Sequence, residues 1–209
     1  MHSSKRATSK SRVPGKSRSH GKSRVRIIGG EHRGRRIEVL DRPGLRPTPD
    51  RVRETLFNWL GQRLDGLACL DLFAGSGALG FEAASRGAAR VVMVENDRDA
   101  FRALEAARKT IGFAAVELVF GDAFEYLQRD GEAFDVVFLD PPFRQNALAA
   151  ALERLPRRLA PRARVYLEAP DPLEADAGWS ELKRSRAGQV SYQLLEWRRD
   201  DQGGLPGNV

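Results

Sequence analysis

From about residue 67 onward, short apolar runs alternate with longer segments whose apolar residues recur every three or four positions. The runs at 67–73, 90–95, 116–120, 134–139 and 163–168 are predicted strands, because they are short and rich in Val, Leu and Phe. Helices are predicted at 78–86, 97–110, 123–129 and 144–159. Strict alternation of this kind argues for an α/β fold, a parallel sheet with helices on both faces. Val25–Ile28 and Ile37–Leu40 are expected to pair as a hairpin around the Gly-rich loop Gly29–Arg36. Leu182–Arg186 and Gln189–Trp197 form a second expected hairpin, with Gly188 in its turn. Asp50 is the expected N-cap of a helix that carries Val52, Leu56, Trp59 and Leu60 on one side.

The strand at 134–139 ends on Asp140-Pro141-Pro142-Phe143. Proline cannot donate to a ladder, so the strand stops there. In an open parallel sheet, strand C-termini line the ligand crevice. The run therefore delivers a carboxylate, a proline carbonyl and an aromatic face to one point. That set suits a planar base with an exocyclic amine: carboxylate and carbonyl accept the amine hydrogens, and the ring stacks on the base.

A second motif follows the first of these strands. Gly75, Gly77 and Gly80 fit G-x-G-x-x-G at a helix start, and Glu95, 20 residues after Gly75, ends the next strand. This pattern fits a nicotinamide dinucleotide enzyme as well as an adenosyl cofactor, and Glu95 alone reads equally as a solvated strand-end acid. Two further acids separate the readings. Asp71 sits inside the strand before the glycine loop, where dinucleotide folds carry apolar residues; a carboxylate there suits the cationic amino-acid end of S-adenosylmethionine. Asp122 ends the run at 116–120 and is placed to accept from an adenine amino group.

Asp71 to Gly80, Glu95, Gly121-Asp122-Ala123 and Asp140 to Phe143 resemble the ordered motifs of class I S-adenosylmethionine-dependent methyltransferases. Arg26 to Arg36, and Arg46-Pro47-Thr48-Pro49-Asp50-Arg51-Val52-Arg53-Glu54-Thr55-Leu56-Phe57-Asn58, closely resemble the RsmD family. The resemblance covers residues 25 to about 198. It implies a Rossmann-like class I methyltransferase fold: a seven-stranded, mostly parallel sheet with one antiparallel strand, helices on both faces, and the N-terminal β-hairpin as an extension. It implies methyl transfer from S-adenosylmethionine to N2 of a guanine in small-subunit ribosomal RNA. The implied cofactor contacts are Asp71, Phe73, Gly75, Gly77, Glu95, Asn96, Asp122 and Ala123. The implied catalytic group is Asp140, Pro141 and Phe143. Arg33, Arg35 and Arg46 take RNA-contacting positions in the family pattern, and Arg144 is placed to reach a phosphate beside the target base. Arg53 and Glu54 are expected either to pair with each other or to shape the cofactor pocket. Arg157, Arg158, Arg162 and Arg164 read as a solvated face.

Charge divides the chain unevenly. The net charge is +7, yet residues 1–26 hold nine Lys/Arg and no acid. The remaining 26 basic and 28 acidic residues give −2. The Ser-rich, apolar-poor segment 1–24 is expected to be a disordered basic tail that meets RNA phosphates. Residues 25–198 form the expected methyltransferase domain, with hairpin and helix at 25–61 and the Rossmann-like core at 62–198; residues 199–209 are a loose tail. No apolar stretch approaches membrane-spanning length. The resemblance implies a cytoplasmic monomer acting on ribosomal RNA, either free or within a partly assembled small subunit. The lone Cys69 permits no internal disulfide, and His2, His20 and His32 form no metal-ligand cluster. Four alternatives stand beside the main reading: N6-adenine or N4-cytosine methylation of nucleic acid, methylation of a protein amide, a nicotinamide oxidoreductase, and a non-catalytic RNA-binding assembly protein.

Overall fold

The computed structural model describes residues 22–40, 48–141, 145–174 and 178–198. The chain begins with an antiparallel hairpin, β1 (Lys22–Arg26) and β2 (Arg36–Leu40), in which Val25 faces Ile37. Helix α1 (Asp50–Trp59) follows. The elements then alternate: β3 (Ala68–Asp71), α2 (Ala78–Ser85), β4 (Arg90–Glu95), α3 (Arg98–Ile111), β5 (Val116–Phe120), α4 (Ala123–Gln128), β6 (Phe134–Leu139), α5 (Gln145–Arg154), β7 (Leu159–Ala169), β8 (Trp179–Ala187) and β9 (Val190–Trp197). The seven strands β3–β9 form one sheet in the order β5-β4-β3-β6-β7-β9-β8. β9 is antiparallel to both neighbours, and the pairs from β5 across to β7 are parallel. The α/β class, the seven strands, the single antiparallel strand and the N-terminal hairpin are as the sequence predicts.

The central strands are apolar on both faces because both faces are covered. Cys69, Met93, Val136, Phe138 and Tyr166 point to one side, against Leu56 and Phe57 of α1 and Val25, Ile37 and Val39 of the hairpin. Leu70, Val92, Val137, Leu139 and Leu167 point to the other side, with Leu127 of α4 and Leu148 and Ala151 of α5. Cys69 is a fully buried core residue, and its thiol is pushed up to about 12 by burial and then by the charge of Asp135.

The N-terminal extension is fastened to the core through one buried acid. Glu82, on α2, is fully buried. Its carboxylate accepts from the backbone N–H groups of Ile28 (2.9 Å) and Gly29 (2.8 Å), from Arg86 Nε (2.8 Å) and from Arg53 Nη1 (3.3 Å). Arg53 is 1% exposed. Its remaining donors reach the Arg26 carbonyl (2.8 Å), the Thr48 carbonyl (3.2 Å) and Asp50. Hairpin, α1 and α2 therefore share one ionic centre. The loop after β1 closes on the same helix: at Gly30 a Cβ would sit 1.7 Å from the Ser85 carbonyl oxygen, and Glu31 N–H donates to that oxygen at 2.7 Å.

Several local expectations need correction. Asp50 is not the N-cap of α1: Pro49 holds that position without a side-chain cap bond, because the Asp50 carboxylate is drawn to Arg53 and Arg26 instead. Arg53 pairs with Glu82 and Asp50, not Glu54, which is exposed. Arg158 is buried rather than solvated; it donates to the carbonyls of Tyr126 and Arg129 and lies over the Tyr126 and Phe134 rings. Arg164 donates to the Leu60 carbonyl at 3.1 Å. β1 starts at Lys22, so the boundary expected at 24/25 falls inside a strand. Residues 1–21 and 199–209 lie outside the described residues.

Removing one partner from a buried, hydrogen-bonded ion cluster leaves the others uncompensated, typically at about 3–5 kcal/mol. Glu82→Ala is accordingly expected to lower unfolding free energy by that amount in urea titration. A loss below about 1 kcal/mol would show that the centre contributes little.

Candidate active site

Strand order reverses between β3 and β6, since β4 and β5 continue outward from one and β7 from the other. That reversal point, at the strand C-termini, is where open α/β sheets bind ligands. Asp71 closes β3 and pairs with Phe138 of β6; Asp140 follows two residues later. Glu95 closes β4, and Asp122 follows β5. The predicted acids thus share one rim.

The glycine loop makes the first half of the site. Gly75 and Gly77 have φ of 51° and 76°, the left-handed region that other residues avoid. A Cβ at Gly80 would meet Met93 at 2.8 Å, so this glycine lets α2 press onto β4. Asp71 is 2% exposed, and its Oδ2 accepts the Gly80 N–H at 2.9 Å. The free donors that a helix N-terminus would offer an anion are therefore partly taken by the protein's own carboxylate. Burial pushes Asp71 up to about 7, against the Gly80 hydrogen bond and with help from the charge of Glu95.

Glu95 is half-buried, and its oxygens accept from Gly75 N–H and Asp97 N–H, each at 2.7 Å. Each carboxylate oxygen keeps a further lone pair for a ligand hydroxyl. Asp122 caps α4 through Oδ1, which accepts from Phe124 N–H (2.8 Å) and Glu125 N–H (3.0 Å). Ala123 is buried as the first residue of that helix, Asn96 is exposed beside Glu95, and Phe73 packs edge-on against Phe124 at 6.2 Å.

The second half surrounds Asp140, with Pro141 buried behind it. β6 pairs with β7 in the register Leu139–Leu167, so the next residues, Asp140 and Glu168, sit side by side on neighbouring strands. Tyr166 OH donates to Glu168 Oε1 at 2.8 Å. The Thr48 hydroxyl stands close enough to both carboxyls to favour their charged forms. Asp140 is raised well above the ordinary carboxylate range by burial, then by Glu168 and Asp71, against the Thr48 hydroxyl. Glu168 is raised by burial, opposed by its bonds to Tyr166 and Thr48.

Thr48, Tyr166 and Glu168 were not among the residues singled out from sequence. Glu168 was within reach, because it ends a predicted strand as Asp140 does. Thr48 stands in the block that resembles the RsmD family, but no local pattern assigns it a role; it arrives through the long-range docking of the extension. Arg33 and Arg35 lie elsewhere, in the loop that packs on Ser85 at the C-terminal end of α2. Arg33 lines a cleft of about 760 Å³ there, together with Gly30, Asn58, Gln62 and Ser85. The structure does not bring these arginines to the acidic rim. Arg46, Phe143 and Arg144 fall outside the described residues. Among the described residues no three metal-binding side chains cluster, and no helix is long and apolar enough to cross a membrane.

This sheet order, with its acids at the reversal point, is the class I methyltransferase fold. The chain belongs to the family described as conserved hypothetical protein 95, the RsmD family, which matches residues 25–196. It is 43% identical to "Ribosomal RNA small subunit methyltransferase D" of Escherichia coli (strain K12) over 186 residues, 86% of this chain and 92% of that protein. The protein of the same name from Haemophilus influenzae is 42% identical, covering 82% of this chain and 93% of its own. Among solved structures, a "Putative methyltransferase yhhF from Escherichia coli" superposes with a TM-score of 0.77 at 42% identity, over 84% of this chain and 99% of that one.

Asp71 supports a pH prediction. An acid raised on folding from 3.8 to about 7 stabilises the protein while protonated. That contribution is whole below its unfolded value and lost as pH rises through 7. Asp71→Asn keeps an acceptor for Gly80 and cannot ionise. Urea melts should therefore find the variant more stable than wild type at about pH 8, with the gap closing toward pH 4. A gap that widens as pH falls would reverse the assignment.

Proposed function

We propose that this protein transfers a methyl group from S-adenosylmethionine to the exocyclic N2 of a guanine in small-subunit ribosomal RNA. The observation that carries the cofactor half is Asp71 seated on the Gly80 N–H. A dinucleotide would bring its pyrophosphate to that helix start, onto a buried carboxylate near Glu95. A ligand with a sulfonium and an ammonium group suits the same place. The names of the relatives, at 43% and 42% identity over most of the chain, support the RNA half and count against DNA or protein substrates.

When bound, the sulfonium supplies a methyl group open to direct attack by nitrogen. Glu95 accepts the ribose hydroxyls, Asp122 holds the adenine amine through its free Oδ2, and Asp71 faces the cationic end. Phe73, Asn96 and Ala123 complete the cofactor wall. On the substrate side, Asp140 and the Pro141 carbonyl accept the amine hydrogens and turn the nitrogen lone pair toward the methyl group. Phe143 stacks on the extruded base. These residues would line the amine nitrogen up with that methyl group, and Asp140 would take the proton that the amine sheds on methylation. Alignment of this kind supplies roughly 7–11 kcal/mol of a barrier. Arg46 and Arg144 contact phosphates near the base. Arg33 and Arg35 bind RNA farther from the chemistry, and the cations of residues 1–24 add sequence-independent contacts to its phosphates. The protein acts as a cytoplasmic monomer on ribosomal RNA, either free or within a partly assembled subunit.

Asp140→Ala is expected to cut single-turnover methylation by about 10²–10⁴-fold, with S-adenosylmethionine affinity by calorimetry nearly unchanged. A near-normal rate at saturating RNA would remove Asp140 from the reaction. Glu95→Ala is expected to weaken S-adenosylmethionine by roughly ten- to hundredfold, the effect of losing a charged hydrogen-bond acceptor. Unchanged affinity would reduce Glu95 to a brace for the Gly75 turn.

A further inference from the structure

We propose that Glu168 reads the identity of the target base, accepting N1–H of guanine while Asp140 holds the adjacent N2 amine. The inference rests on the methyl-transfer reading above and extends it to specificity. Parallel neighbours lie about 4.8 Å apart, and the β6–β7 register sets Asp140 beside Glu168. Both carboxyls follow residues of the same sheet face, Phe138 and Tyr166, which pack in one cluster. Both are half-buried at the rim.

The pair is held by hydroxyls. Tyr166 OH fixes Glu168 Oε1 at 2.8 Å, and the Thr48 hydroxyl stands beside both carboxyls and favours their charged forms. Two acceptors thus stand next to each other, positioned from β7 on one side and from the docked extension on the other. Among the standard bases, guanine alone carries an exocyclic amine beside a ring N–H. Adenine N6 adjoins the unprotonated N1, and cytosine N4 adjoins the unprotonated N3; each would set a lone pair against the second carboxylate. An unpaired acceptor in a desolvated site is costly. Side-by-side acceptors therefore admit guanine and reject the other two amines, a selection that Asp140 and Pro141 alone do not make.

The test uses the full-length protein, labelled S-adenosylmethionine and small-subunit RNA from cells lacking this activity. Once the methylated position is mapped, that RNA is rebuilt with guanosine or 2-aminopurine riboside there. 2-Aminopurine keeps the 2-amine but has an unprotonated N1. Wild type is expected to prefer guanosine by roughly ten- to hundredfold in kcat/KM. Glu168→Gln, whose amide donates to an unprotonated N1, is expected to narrow or invert that preference while leaving cofactor affinity unchanged. Equal use of both bases by wild type, or an unchanged preference in a folded Glu168→Gln protein, would overturn the role of Glu168 and leave methyl transfer standing. If Glu168→Gln does not fold, Glu168→Ala takes its place, and a preference unchanged there overturns the role as well. Methyl found on adenine N6 or cytosine N4 would overturn both the substrate reading and this one.

Discussion

Glu82 is the constraint on which the rest of the arrangement depends. It is a carboxylate with no route to water, so its four donors must all be present at once. They come from the end of β1, from α1 and from α2 itself. Satisfying it forces the extension into one position against the sheet. The consequence reaches the active site: Arg53, fixed by Glu82, also holds the Thr48 carbonyl, and the Thr48 hydroxyl stands beside Asp140 and Glu168. A purely apolar contact between hairpin and helix would tolerate sliding; a buried ion cluster with fixed hydrogen bonds does not.

The rim carries a different kind of strain. Asp71, Asp140 and Glu168 are all raised by burial, and Asp71 adds to Asp140 through its charge. A protein selected for stability alone would not gather three acids, one buried and two half-buried, at the ends of adjacent strands. Such perturbed groups mark sites where a ligand relieves the repulsion. In the proposed reaction the relief would come from opposite sides: a cation beside Asp71 and amine donors at Asp140.

Much of this was legible in the chain. β4, β5 and β6 have the predicted limits because their apolar runs are short and bounded by acids, glycine or proline. Asp140 was legible because Asp-Pro-Pro must end a strand. Local pattern misled where a polar residue had a distant partner. Arg158 sits in a basic run that reads as surface, yet α4 and the loop after it supply carbonyls for its guanidinium. Asp50 reads as a cap until Arg53 and Arg26 compete for it. The extended strand β7, beginning at Leu159 where a helix was expected, reflects Pro156, which ends the preceding helix early.

The sheet divides its labour at the reversal point. β3, β4 and β5 carry the acids assigned to the cofactor, and β6 and β7 carry those assigned to the base. Asp71 belongs to both halves. It is raised by Glu95 on one side and itself raises Asp140 on the other. Charge placed at one half is therefore felt at the other. In the proposed reaction, a cation seated on Asp71 would lessen the repulsion that Asp71 exerts on Asp140, so the cofactor half and the base half of the rim are coupled through this one carboxyl.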